Sequence, residues 1–328
     1  MRRSLLPVSL LSTAIPLSLL FACTGAAAQD ASLLAGGLRN LDVGESSFAA
    51  ELGYAYRINR YSSLSAEYLN EGHPDKHHRD GLTSQYWLHS AVPQQGLSFG
   101  AGFGPYYFFD TTTGSGSATD YRNLHGWGSI LSINAKWHLE ERTYLEVRAN
   151  RVRTHGYGDS NSLLFGVGYE LRNLPQSVVQ RNEKAGDRYV MLMGGQAIVN
   201  SFESERARAY AIEYRDTISR NIEWSAQWLS EGKVGLVERR GAAAQLWLLR
   251  PFTERTVLEI GGGPYLMRDR VNRSDANEDS KFHLVPLLSI GMRWRLGPDT
   301  RVQLSWSRVV TGYHRDSDVL LLGAGLRF

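Results

Sequence analysis

The chain has 328 residues, 42% of them hydrophobic, and 36 lysines and arginines against 33 acidic residues give a formal net charge of +3. So small a charge gives no reason to expect a nucleic-acid partner, and the single cysteine, Cys23, excludes a disulfide framework. The 33 glycines, 16 tyrosines and 8 tryptophans are typical of β-sheet that is polar on one face and apolar on the other.

Residues 1–28 have the pattern of a secretory signal peptide. They begin with two arginines after the initiating methionine, continue as an apolar stretch and end in three alanines, which offer a cleavage site. Cleavage there would remove both arginines and no acidic residue, which lowers the formal charge from +3 to +1. It would also remove Cys23 and leave the mature chain without a thiol. A lipid-modified Cys23 is the alternative, but the bulky Phe21 stands where a small residue is usual.

The rest of the chain is an internal duplication. Ile130–Leu171 aligns with Leu287–Phe328 without a gap, with identical tryptophan, arginine, threonine, aspartate and glycine positions. Further upstream, the stretch YLNEG at Tyr68–Gly72 returns as WLSEG at Trp228–Gly232. A repeat of this length predicts two copies of one structural unit.

Within each half, apolar residues alternate with polar or small ones, which is the period of two that predicts β-strands. The eight strands predicted for the first half lie at about 31–39, 47–58, 61–70, 82–92, 97–109, 126–138, 143–153 and 161–171. Those of the second half lie at about 188–199, 205–216, 221–231, 241–251, 255–268, 281–296, 300–311 and 317–328. Connections after the second, fourth and sixth strands are short, and those after the third, fifth and seventh are longer and polar.

This alternation of short turns and long loops is typical of outer-membrane barrels. A soluble β-sandwich is the alternative, but it gives no reason for the asymmetry. At the end of the chain, Leu320, Leu322 and Leu326 alternate with other residues before a final aromatic, Phe328. This ending resembles the signal by which bacterial outer-membrane barrels are recognised for insertion. The resemblance implies the outer membrane of a Gram-negative cell, its lipids and lipopolysaccharide as neighbours, and the barrel-assembly machinery as a partner.

The predicted fold class is all-β: a transmembrane antiparallel β-barrel protein of 16 strands in two eight-stranded repeats, residues 29–172 and 187–328, joined by a periplasmic linker at 173–186. Two closures use the same pairings, two tandem small barrels or one 16-stranded ring. Small inward residues such as Gly102 and Gly263 suit the crowded interior of an eight-stranded barrel. The long linker also favours two barrels, because a hairpin needs far fewer residues.

Five charged residues of the first half have the parity of inward positions: Glu51, Arg57, Glu67, Glu146 and Arg148. Charges inside a small barrel must pair with each other or with water, because isolated burial is costly. A structural ionic cluster is the expected arrangement. A solute path is the alternative, and a porin-like channel for small solutes would favour it.

Four arginines recur in matched positions near the rim that carries the long loops: Arg79 with Arg239, and Arg151 with Arg308. At that height a guanidinium could bind lipopolysaccharide phosphates through two parallel hydrogen bonds. The alternative is ordinary snorkelling of a long cationic side chain at the membrane surface. We predict contact with lipopolysaccharide at these four residues.

No metal site or cofactor is predicted. His73, His77 and His78 have a spacing that could hold a transition metal with a nearby aspartate. The second copy of this stretch reads GKVGLVERR and has no histidine. A solvated loop is therefore the expected role of the three histidines.

The repeat resembles eight-stranded barrels of the OmpA and OmpX type, and also lipid A deacylases of the PagL kind, which use His and Ser on one late strand. The comparable strand here reads VRANR, without that pair, and no base stands beside Thr154, Asp159 or Ser160. The chain is therefore predicted to be non-enzymatic, structural or lipopolysaccharide-contacting. A porin-like channel and an outer-leaflet hydrolase are the alternatives.

Overall fold

A computed structural model describes residues 29–42, 44–74, 77–90, 95–113, 121–139, 142–171, 185–202, 204–234, 237–271 and 279–328. The predicted signal peptide and nearly all of the predicted linker lie outside these residues. The strands of the first half are β1 (Gln29–Asn40), β2 (Ser46–Asn59), β3 (Ser62–Asn70), β4 (His77–His89), β5 (Gly96–Thr113), β6 (Tyr121–His138), β7 (Thr143–Arg153) and β8 (Ser160–Leu171). Those of the second are β9 (Arg188–Val199), β10 (Arg206–Ser219), β11 (Ile222–Val234), β12 (Val237–Pro251), β13 (Thr256–Val271), β14 (Asp279–Arg295), β15 (Thr300–Val309) and β16 (Ser317–Arg327).

Each half closes on itself as an antiparallel barrel of eight strands. In the first half β8 pairs with β1, which places Leu171 opposite Gln29. In the second half β16 pairs with β9, which places Ser317 opposite Val199. The prediction of two small barrels is confirmed, and the alternative of one 16-stranded ring is wrong, because both edges of β8 are already used within its own half. We call the two halves barrel one (β1–β8) and barrel two (β9–β16).

The strands continue further toward the long loops than the sequence predicted. β5 reaches Thr113 and β6 begins at Tyr121, and the two remain paired along this whole length. β4 begins at His77, so the stretch HHRD belongs to a strand rather than a loop. β12 likewise begins at Val237, inside the predicted loop GKVGLVERR. We call this rim of each barrel the loop end and the opposite rim the turn end.

The two faces of the strands differ in polarity. Large apolar side chains such as Leu33, Phe103 and Leu192 point outward and are about 60% exposed, at 61%, 62% and 63%. The inward set is rich in buried polar and charged side chains, including Glu51 and Arg215. An apolar outer belt around a polar interior is the layout of a membrane-spanning barrel, whose closure also satisfies every backbone polar group. No helix long and apolar enough to cross a membrane occurs in the described part of the chain.

Glycine permits a close approach of backbones at matched positions of the two barrels, and the shortest approach is at Gly104 and Gly263. A Cβ atom at Gly104 would lie 1.9 Å from the carbonyl oxygen of Ser84, and a Cβ atom at Gly263 would lie 1.9 Å from that of Ala244. Neither contact can be relieved by a side-chain rotation, because the obstructing atom belongs to the backbone. Both barrels therefore need glycine here.

We expect Gly104→Ala to destabilise barrel one by about 1–3 kcal/mol, the usual cost of inserting a methyl group into a packed interior. Gly37→Ala is the control, since its Cβ would lie 3.9 Å from the nearest atom, the Ser47 carbonyl oxygen. Urea unfolding in detergent micelles measures both variants. Equal unfolding midpoints for the two variants would contradict the close approach.

Candidate functional site

The inward side chains of each barrel form three levels between the turn end and the loop end. On β3 they run Ser63, Ser65, Glu67, Leu69, and Glu71 follows just beyond the strand. The corresponding side chains of barrel two on β11 run Glu223, Ser225, Gln227, Leu229 and Glu231. A polar level is thus followed by an apolar level and then by a second polar level. We call them the ionic level, the apolar level and the cap.

The ionic level of barrel one is centred on Arg148. Its guanidinium contacts the carboxylate of Glu51 and lies 3.1 Å from Glu67 Oε1 and 2.8 Å from Glu146 Oε1. All four side chains are buried. The guanidinium carbon also lies 4.9 Å from the centre of the Trp87 ring, within cation–π distance. Four of the five charges predicted to be inward therefore meet in one cluster.

The fifth predicted charge, Arg57, lies nearer the turn end. It forms ion pairs with Glu170 at 3.3 Å and Asp30 at 3.6 Å, and its side chain keeps 22% of its exposure. Sequence reasoning missed Lys136, whose Nζ lies 3.8 Å from Glu146 Oε2 and 3.9 Å from Asp30 Oδ2. The alternation along β6 gives Lys136 an inward position, together with Asn134 and His138, so the sequence did contain a signal for it.

Barrel two has an ionic level built mostly from different positions. Arg215 lies 2.8 Å from Glu259 and 3.1 Å from Glu213, and Arg293 lies 3.0 Å from Glu223. None of these was predicted. The residue aligned with Arg148 is Ser305, which forms no ion pair. The two barrels therefore compensate their buried charges largely with different residues, although one cationic position recurs, Lys136 in barrel one and Arg293 in barrel two.

An aromatic frame is nevertheless the same in both ionic levels. Trp87 Nε1 donates to Ser65 Oγ at 2.9 Å, and Trp247 Nε1 donates to Ser225 Oγ at 2.9 Å. Each ring lies over a glycine, Gly102 in barrel one and Gly261 in barrel two. An arginine also lies against each ring, and the Arg215 guanidinium carbon is 4.0 Å from the centre of Trp247.

The apolar level separates the ionic level from the cap. In barrel one it consists of Leu34, Leu38, Ala49, Leu69, Tyr106, Phe108, Ile130, Val152 and Leu164. In barrel two it is larger and includes Met191, Met193, Leu229, Tyr265, Met267, Val285, Leu287, Val309, Val319 and Leu321. These side chains are all buried, so each interior is packed rather than open.

The cap of barrel one ties the β7–β8 connection to β4. Arg79 Nε donates to Glu71 Oε2 at 2.9 Å, and its Nη1 donates to the carbonyl oxygen of Tyr157 at 2.8 Å. The same Glu71 carboxylate accepts hydrogen bonds from Tyr106 Oη at 2.8 Å and from Ser160 Oγ at 2.9 Å. A single buried ion pair therefore joins β3, β4, β5 and β8 at the loop end.

The cap of barrel two repeats this arrangement. Arg239 lies 3.0 Å from Asp269 and 3.7 Å from Glu231, whose carboxylate accepts a hydrogen bond from Ser317. Tyr313, in the loop between β15 and β16, donates from its hydroxyl to Asp269 at 2.6 Å. Burial and this contact with Asp269 raise the pKa of Tyr313 above its ordinary value, so its phenol remains a neutral hydrogen-bond donor.

These contacts correct the prediction for three of the four arginines. Arg79 and Arg239 are only 3% and 1% exposed and their side chains lie inside the barrels, so they do not reach lipopolysaccharide. Because β4 and β12 begin earlier than predicted, both arginines belong to strands, at positions whose side chains point inward. Arg151 and Arg308 lie at outward positions of β7 and β15, but Arg308 is only 4% exposed and is neutralised by two 2.9 Å hydrogen bonds to Asp318, so the predicted contact is corrected there as well. Arg151 is partly exposed and lies 3.4 Å from Asp159.

The combination of closure, apolar outer belt and charged interior decides the class of protein. Each half is a transmembrane antiparallel β-barrel of eight strands. No protein-family model and no curated protein matches the chain. Its structure is similar to the N-terminal β-barrel domain of Pseudomonas aeruginosa OprF, with 15% identity and a TM-score of 0.36 over 44% of this chain and 97% of that one.

Two further similarities concern different lengths of the chain. Ail, the attachment invasion locus protein of Yersinia pestis, is 14% identical, with a TM-score of 0.35 over 44% of this chain and 99% of that one. The Pseudomonas putida toluene transporter TodX is 10% identical, with a TM-score of 0.26 over 95% of this chain and 91% of that one. The fold is established by the strand pairing of the chain itself.

In the cap of barrel one, no histidine contacts Ser160 among the described residues. The hydroxyl of Ser160 donates to Glu71, and the same carboxylate is engaged by Arg79 and Tyr106. Three histidines near the loop end of barrel one contact other groups: His77 Nδ1 lies 3.1 Å from Asp110, and the tilted rings of His73 and His78 have their centres 4.1 Å apart. Within the described ranges, no group of three or more His, Cys, Asp or Glu side chains is placed to hold a metal ion.

Proposed function

We propose that the chain is a non-enzymatic outer-membrane protein whose two barrels do not conduct, and that it contacts lipopolysaccharide through outward cationic side chains at the loop end. It reaches the membrane through a cleaved signal peptide, and its last strand is the signal read by the barrel-assembly machinery. Leu320, Leu322 and Leu326 of that strand are exposed on its outer face, and the exposed Phe328 follows the strand.

The proposal that the barrels do not conduct rests on the apolar level. An ion passing through barrel one would leave the Arg148 cluster and lose its hydration among side chains such as Leu34, Leu69 and Leu164. A cavity at the turn end of barrel one, beside Asp30, Lys136 and Tyr144, has a volume of about 10 Å³. This is about the space of one water molecule. The buried apolar side chains and the small size of this cavity support an interior that passes neither ions nor solutes.

Planar-bilayer recordings of the full chain are expected to show no stable conductance steps. A general porin reconstituted in the same lipid is the positive control, and folded protein in the bilayer is confirmed by its resistance to protease. Reproducible steps that scale with the amount of inserted protein would overturn the proposal and favour a channel.

A further inference from the structure

The outward face of β11–β14 in barrel two carries a row of apolar side chains in register. Trp228 pairs with Ala242, Ala242 with Leu266, and Leu266 with Leu284. Trp228, Leu266 and Leu284 are 53%, 50% and 65% exposed. Adjacent strands lie about 4.8 Å apart, so the row is a continuous apolar strip about 14 Å wide. It belongs to the belt that acyl chains cover.

The next outward row toward the loop end begins with Ser230 and contains two arginines side by side. Arg240 on β12 is directly opposite Arg268 on β13, and Arg268 is opposite Phe282 on β14. Both arginines are exposed. Like charges directly opposite each other on one face destabilise a sheet. A binding partner outside the chain that compensates the two charges would explain the pair.

The next row toward the loop end contains a pair of opposite charges on the same face. There Glu238 is opposite Arg270, and the two side chains form an ion pair at 3.9 Å. Arg268 Nε donates to the hydroxyl of Ser280, which is a neutral acceptor. Among the described residues, neither Arg240 nor Arg268 forms an ion pair with a carboxylate. The pair therefore keeps two positive charges at the upper edge of the apolar belt.

Barrel one has no such pair at the matching place. The aligned residues are Asp80 and Phe109, which also lie opposite each other on β4 and β5. Asp80 accepts a hydrogen bond from Tyr68 Oη at 2.6 Å. The fold of the repeat therefore does not require two arginines here, and the pair is particular to barrel two.

We propose that Arg240 and Arg268 bind a phosphate group of the lipid A portion of lipopolysaccharide, with its acyl chains on the strip formed by Trp228, Leu266 and Leu284. This inference rests on the proposed contact with lipopolysaccharide and assigns its site. Two guanidinium groups about 5 Å apart at their Cβ atoms can both reach one phosphate, and each can donate two parallel hydrogen bonds. Phe282, which is 73% exposed, lies at the same height and adds apolar contact to the glycolipid.

The test is titration of the purified full chain in detergent with bisphosphorylated lipid A, with dephosphorylated lipid A and with phosphatidylethanolamine. The variant is Arg240→Gln with Arg268→Gln. Its matched control is Arg39→Gln with Arg153→Gln, which removes two exposed outward arginines from barrel one. We expect the barrel-two variant to bind bisphosphorylated lipid A about tenfold more weakly and the control less than about twofold more weakly, since charge-assisted forked bonds are lost only in the first.

Thermal unfolding of each variant in the same detergent verifies that the barrels remain folded. An Arg240→Lys, Arg268→Lys variant should retain part of the affinity, because lysine keeps the charge but lacks the fork. Equal weakening in both glutamine variants, or none in either, overturns the assignment while the contact with lipopolysaccharide stands. Wild-type binding of lipid A no stronger than that of phosphatidylethanolamine overturns the proposed contact itself. Full competition by millimolar inorganic phosphate would indicate a free-anion site and overturn the lipid assignment.

Discussion

Arg148→Met is expected to lower the free energy of unfolding of barrel one by about 3–5 kcal/mol, the range observed when one partner of a buried ion pair is removed. Methionine fills a similar volume, so the loss reports the charge rather than a cavity. Glu51, Glu67 and Glu146 would remain buried without the guanidinium that touches all three. Lys136 compensates only part of this charge, since it lies 3.8 Å from Glu146.

Urea unfolding in micelles, followed by the fluorescence of the tryptophans, gives the measurement. Arg57→Gln is the control: it also removes a cation paired with acids, but at a side chain that is 22% exposed, and partly exposed pairs contribute about 1 kcal/mol or less. If Arg148→Met unfolded at the same urea concentration as Arg57→Gln, the ionic level would not be a stabilising centre of barrel one.

The comparison of the two ionic levels shows which part of such a site can be inherited through a duplication. Trp87, Ser65 and Gly102 reappear as Trp247, Ser225 and Gly261 in the same contacts. Most of the charges do not: Arg148 becomes Ser305, and Glu259 stands where barrel one has Gly100. A cation is kept at one position, as Lys136 and Arg293. A buried cation and its acids must change together, because either one alone carries a desolvation cost. Residues that contribute by packing, such as Trp87 and Gly102, can each be retained independently of the others.

Much of the fold followed from the sequence because alternation and duplication are local patterns. Counting by twos placed Glu51 and Glu67 inward, and the repeat placed the strands of barrel two. The closure could not be decided from the sequence. β8 pairs with β1 in a small barrel and would pair with β9 in a 16-stranded ring, and its residues suit both pairings equally. The long linker and the small inward glycines favoured the closure that the strand pairing shows.

The site was less predictable, for two physical reasons. The predicted strands begin at 82 and 241, so Arg79 and Arg239 fall in the loops of the prediction, near the rim. A count by twos from Gln85 and Gln245 through the longer strands places both inward. Contacts across a barrel, such as that between Arg148 and Glu51 on β7 and β2, depend on strand stagger, which no local pattern contains. The opposed Arg240 and Arg268 likewise became visible only with the register of β12 and β13.

Arg79→Met is the second substitution for which we expect a large effect. It should lower the free energy of unfolding of barrel one by about 3 kcal/mol, because it leaves the buried Glu71 carboxylate without its cation. It also removes the hydrogen bonds that hold the carbonyl oxygens of Tyr157 and Gly158. The β7–β8 connection should then exchange its backbone amide hydrogens faster and be cut more readily by added protease. Hydrogen exchange of residues 155–159 and limited proteolysis measure this directly.

Arg151→Gln is the matched control, since Arg151 contacts Asp159 of the same connection from the outer face and is partly exposed. It should change amide exchange of the connection little, because exposed ion pairs contribute about 1 kcal/mol or less. Arg79→Met should also remain silent in planar bilayers, because the apolar level of Leu34, Leu69 and Leu164 lies below the cap and is untouched. Conductance in this variant would mean that the cap, rather than the apolar level, seals barrel one. Unchanged exchange would mean that the buried ion pair does not hold the connection in place.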